Sequence, residues 1–87
     1  MNKGKVTDYD LRSYFKDNQL NYLFILEIDE AYEYDKYLTQ AEYNLFMSKV
    51  LGGFGVRELR DIVDKLVGYE LENDRVIKIS LENNIEL

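Results

Sequence analysis

The run Asn21-Tyr22-Leu23-Phe24-Ile25-Leu26-Glu27-Ile28-Asp29 most narrows what this chain can become. It is rich in aromatic and β-branched residues and contains no glycine or proline, which predicts a strand over Leu20 to Asp29. Tyr22, Phe24, Leu26 and Ile28 share one face; Leu23, Ile25, Glu27 and Asp29 share the other. The first half is apolar on both faces and the second half on one. That pattern predicts a strand buried at its start and emerging at Glu27.

Where this strand runs out, the composition changes sharply. Glu27 to Tyr37 packs five carboxylates and three tyrosines into eleven residues, with one lysine. If the segment is extended, Tyr32 and Tyr34 fall on one face and Glu33 and Asp35 on the other. Tyrosine brings large contact area at little entropic cost and carries a polar tip. The flanking carboxylates can meet arginines and lysines. These features make Glu27, Asp29, Glu30, Tyr32, Glu33, Tyr34, Asp35 and Tyr37 the candidate partner-binding residues.

The residue inventory excludes much chemistry. The chain has no cysteine and no histidine, so disulfides, thiolate sites and histidine general bases are absent. No serine is followed by a glycine-rich turn, so a serine nucleophile has neither base nor framework. An EF-hand reading that starts at Asp29 puts Tyr34 where the sharp turn needs glycine. Asp29 and Lys36 lack the surrounding pattern of a magnesium-dependent nuclease. Glu27 and Asp29 sit on one strand face but without a second element to build a glycosidase cleft. The run Gly52-Gly53-Phe54-Gly55 follows a helix rather than a strand and lacks a following Lys-Ser/Thr, so it is no phosphate loop. No catalytic residue, metal or cofactor is expected.

A formal charge of −6 disfavours direct binding to nucleic acid or an anionic membrane, because phosphates repel a net-negative protein. It favours a cationic partner. No apolar run reaches transmembrane length, and the basic start Met1 to Lys5 has no apolar stretch after it. A cytoplasmic, intracellular location is the expectation.

Along the chain, Thr7 reads as a helix N-cap, with Val6 and Leu11 spaced as a hydrophobic staple. Leu11, Tyr14 and Phe15 make a stripe, so a helix is predicted over Asp8 to Lys16. After the strand, Thr39-Gln40-Ala41-Glu42 is a capping box, with Leu38 and Tyr43 as its staple. Tyr43, Phe46, Met47 and Val50 form that helix's apolar face, and the helix is predicted to end at Gly52-Gly53. Val56, Leu59, Ile62, Val63, Leu66 and Val67 predict a third helix, closed by Gly68 as a left-handed cap. Tyr69 to Leu71 and Arg75 to Leu81 read as a hairpin. A three-residue turn, Glu72 to Asp74, keeps the apolar faces of Tyr69 and Ile77 together better than a two-residue turn at Asn73-Asp74.

The expected fold is therefore α+β, one domain over residues 1–87, in the order α-β-α-α-β-β, with loose ends at 1–6 and 82–87. Helices would pack a three-stranded antiparallel sheet. That order resembles a winged helix-turn-helix in topology. The resemblance implies DNA contacts from Arg57, Arg60 and Lys65. Glu58, Asp61 and Asp64 interleave with those bases, and the hairpin tip is acidic, which weighs against it.

The leading reading is a small acidic, non-catalytic binding module that occupies the basic, nucleic-acid-binding surface of a larger protein. In size, charge and tyrosine content it resembles the small acidic inhibitors that mobile elements and phages encode against restriction or CRISPR nucleases (anti-restriction and anti-CRISPR proteins). Carboxylates would stand in for phosphates and tyrosines for stacked bases, as in a DNA mimic. The alternative is a winged-helix DNA-binding regulator. A third reading is a subunit whose apolar surface is buried in an oligomer, a homodimer included.

Overall fold

In the computed structural model, which describes residues 1–87, the apolar run from Asn21 to Ile28 forms an inner strand. The elements are β1 (Asn2–Lys16), β2 (Gln19–Ile28), β3 (Tyr32–Thr39), α1 (Gln40–Phe54), a 3-10 turn (Leu59–Ile62), β4 (Leu66–Glu72) and β5 (Arg75–Ser80). All strands belong to one antiparallel sheet in the order β3-β2-β1-β4-β5.

This overturns the expected α-β-α-α-β-β order. The sheet has five strands rather than three, and α1 is the only α-helix. The predicted helix over Asp8 to Lys16 is part of β1, and the predicted third helix is a 3-10 turn leading into β4. The winged helix-turn-helix is thereby excluded, because the helix that would read DNA does not form.

Each misread segment has a physical reason. Leu11, Tyr14 and Phe15 fit a helical stripe, but Tyr9, Leu11 and Phe15 fit a strand face as well. Tyrosine, phenylalanine and threonine favour strands, and β2 supplies the partner that decides between the two. Asp17 and Asn18 then close the hairpin with φ of 53° and 63°, the left-handed pair a tight hairpin needs. In the 56–67 segment, Ile62 and Val67 are buried while Leu66 stays 62% exposed, so no single helical face is covered. Gly68 lies inside β4, with the Met1 side chain packed against it, and caps nothing.

β1 serves two neighbours. Asn2 to Lys5 pair with β4, and Val6 to Lys16 pair with β2. Thr7 is an extra residue between those registers, a bulge that bends the strand. Its hydroxyl accepts from the Glu30 N–H at 3.0 Å and donates to the Glu27 carbonyl at 3.3 Å. The segment expected to be a loose N-terminus is thus a sheet strand.

The core lies between the sheet's concave face and α1. Val6, Phe24, Leu26, Ile28, Val50, Ile62 and Ile79 are fully buried. Phe24 meets Phe46 of α1 edge-on with ring centroids 5.6 Å apart. The β2 face expected to be apolar, Tyr22 to Ile28 by twos, is the inward one. Its burial deepens toward Ile28 instead of fading there, because Leu26 and Ile28 join Val6 in the core.

The capping box at Thr39 and Glu42 forms in full. The helix runs past Gly52-Gly53 to Phe54, and Gly55 takes the left-handed cap at φ 69°. The β4–β5 hairpin forms too, but with the two-residue turn at Asn73-Asp74, which pairs Glu72 with Arg75. A bulge between Glu70 and Leu71's partners absorbs Ile77, which is left 54% exposed while Val76 and Ile79 turn inward. The tail is tied down as well: the Leu87 N–H reaches the Ile79 carbonyl at 3.0 Å, and Glu86 pairs with Lys78 at 2.8 Å.

Candidate functional site

The sheet's outer face, across β1, β2 and β3, carries the densest set of unneutralised charges. Antiparallel register places residues side by side in rows. Asp8, Glu27 and Glu33 stand in one row across the three strands. Asp10, Ile25 and Asp35 form the next, then Arg12, Leu23 and Tyr37, then Tyr14, Asn21 and Thr39. Side chains in such rows are about 5 Å apart across strands and roughly 6.5–7 Å apart along them. The face is therefore an acidic half, Asp8, Asp10, Glu27, Glu33 and Asp35, beside an aromatic-apolar half, Tyr14, Leu23 and Tyr37.

Like charges directly opposite one another destabilise a sheet. Here the relief is partial: the Glu27 carboxylate accepts from the Thr7 hydroxyl at 3.2 Å and the Asp8 carboxylate from the Tyr9 N–H at 2.8 Å. The one base in these rows, Arg12, is held by Asp10 at 2.6 Å. The Glu33 carboxyl is pushed above its ordinary range, first by hydrogen bonding with Asp35 and then by the Asp35 charge. That bond needs a proton, since two charged carboxylates have none to donate. With both charged, Asp35 Oδ1 is buried and has no hydrogen-bond partner.

The eight sequence-derived candidates divide by position. Glu27, Glu33, Asp35 and Tyr37 lie on the outer face, and Tyr37 is 65% exposed. Asp29 and Glu30 form the β2–β3 turn, where the Asp29 carboxylate accepts the Lys5 N–H at 2.9 Å. Tyr32 and Tyr34 point inward: Tyr32 packs near Tyr69, and burial raises the Tyr34 phenol above its ordinary range. Their alternation with Glu33 and Asp35 follows the sequence expectation, but it takes Tyr34 out of reach of a partner. Sequence reasoning missed Asp8, Asp10, Arg12 and Tyr14, which β1 brings to the same face. A strand reading of Asp8-Tyr9-Asp10-Leu11-Arg12, with its charges at alternate positions, would have found them.

The sheet also curls, so that edge strands β3 and β5 face each other across an open cleft of about 650 Å³. Glu33, Asp35, Glu72 and Asp74 line it with Arg75. The carboxylates are spread along the surface, and no three acids converge on a point that could hold a metal ion. Arg57 and Arg60 are exposed beside the 3-10 turn, with Arg60 bound to Glu58 at 2.7 Å, and Lys65 precedes β4. These three bases share no helix face, so the DNA-reading arrangement is gone.

No helix is long and apolar enough to cross a membrane. No protein family, characterised protein or solved structure matches this chain.

Proposed function

We propose that this chain is a non-catalytic binding module whose acidic sheet face docks on a basic surface of a larger intracellular protein. One observation carries the reading: five carboxylates sit in register on one rigid face, with a single arginine among them. Asp8, Glu27 and Glu33 standing side by side set like charges against one another. A partner's arginines and lysines would relieve that repulsion. The regular carboxylate rows suit a groove built to hold phosphates, so a nucleic-acid-handling enzyme is the partner class. Tyr37 and Leu23 beside the acids supply the apolar anchor that point charges lack.

The reading is tested by binding the purified chain to a panel of DNA- and RNA-cleaving enzymes over a salt series. Binding should weaken steeply with salt and be lost in the Glu27→Lys/Glu33→Lys variant. Binding that is absent throughout, or indifferent to both salt and charge reversal, would reject it.

A further inference from the structure

The edge of β1 beyond the bulge is unpaired. β4 accompanies β1 only along Asn2 to Lys5, and the Val6 N–H and carbonyl bond Lys65 and Asp64. From Tyr9 to Phe15 the strand has β2 on one side and no strand on the other. Lys16 and Gln19 flank the tight turn, so Lys16, Tyr14, Arg12 and Asp10 bond toward β2. Leu11, Ser13 and Phe15 therefore aim their N–H and carbonyl groups at the open edge. The Tyr9 N–H is already taken by the Asp8 carboxylate at 2.8 Å, which ends the open stretch on that side.

Long open edges recruit other strands unless something blocks them. This one has no proline and ends in Phe15, which is 78% exposed on the core-facing side of the sheet with nothing to cover it. Its sequence is also self-complementary. Antiparallel pairing of two copies about Ser13 places Asp10 opposite Lys16, Arg12 opposite Tyr14 and Leu11 opposite Phe15, each pair occurring twice. The outer face then gains two ion pairs and two cation–π contacts, and the inner face two apolar contacts that cover Phe15. Neighbouring registers fail. A shift one way puts Arg12 opposite Arg12, and the other way opposite Lys16. A longer slide drives the partner's hairpin tip into the Val6 bonds with Lys65 and Asp64.

We propose that the occupant of this edge is a second copy of the chain. Two protomers join β1 to β1 about a two-fold axis at Ser13, giving one continuous sheet through both. The pairing does not depend on the acidic-face reading, though it would set the two acidic faces on the same side of the shared sheet.

Sedimentation of the full chain over a concentration series tests this. The chain should pass from monomer to dimer as concentration rises. Lys16→Asp should weaken the dimer by about tenfold or more, because it sets aspartate against Asp10 twice. The double variant Asp10→Lys/Lys16→Asp should restore it. Ser13→Pro removes an N–H that faces solvent in the monomer, so it should abolish the dimer and leave the monomer's circular dichroism unchanged. A chain that stays monomeric up to about 1 mM overturns the proposal. So does a dimer indifferent to these variants, or one that the double variant does not restore.

Discussion

Glu27 of β2 and Glu33 of β3 stand directly opposite each other on the outer face of the sheet, and Asp8 of β1 completes the row. The β2–β3 hairpin imposes this opposition, because its turn fixes the register and the register fixes who faces whom.

The first prediction concerns pH. Asp35 holds the Glu33 carboxyl above its ordinary value of 4.5, so the folded state binds this proton more readily than the unfolded chain. The resulting destabilisation is present in full above the folded pKa. It shrinks as pH falls through the folded pKa and is gone below 4.5, where both states are protonated. Glu33→Gln should therefore raise the urea midpoint at pH 7. The gain should be only ~0.2–0.5 kcal/mol, since Glu33 is exposed and screened. It should fade on titration toward pH 4. The same variant should weaken partner binding, so stability and binding move in opposite directions.

The second concerns the helix start. The Thr39 N–H donates to Glu42 Oε1 at 2.9 Å, and the Glu42 N–H returns to Thr39 Oγ1 at 3.3 Å. Thr39→Ala should cost about 1 kcal/mol in urea unfolding. Here the pH dependence has the other sign. The bonds from Thr39 hold the Glu42 carboxyl below its ordinary range, so their stabilisation is present above the unfolded pKa and is lost as pH falls through the folded one. The cost of Thr39→Ala should be larger at pH 7 than at pH 3.

The third concerns the turn that carries the acidic segment. Asp29 and Glu30 both have left-handed backbone, at φ 55° and 56°. Asp29 is compensated by its bond to the Lys5 N–H, whereas the Glu30 side chain makes no hydrogen bond or ion pair. Glu30→Gly should raise the thermal midpoint, corresponding to a gain of up to about 1 kcal/mol. Asp29→Gly should lower it, because it frees a backbone donor that the carboxylate now satisfies.

Several features were legible in the chain as written. Alternation over Tyr22 to Ile28 determined a strand and its inward face, since a period of two fits nothing else there. Thr39 to Glu42 determined a helix start, because a capping box closes within four residues and needs no distant partner. Alternation also separated Tyr32 and Tyr34 from Glu33 and Asp35. The tertiary structure decided what local pattern left ambiguous. Val6 to Phe15 and Val56 to Val67 carry apolar residues compatible with both helical and extended spacing. For the first, pairing with β2 made extension the better-bonded state; in the second, pairing with β1 drew Leu66 and Val67 into β4 and left Leu59–Ile62 as a 3-10 turn. That choice replaced three helices with one. It brought Asp8 and Asp10 level with Glu27, Glu33 and Asp35, and so turned an acidic stretch of sequence into an acidic face.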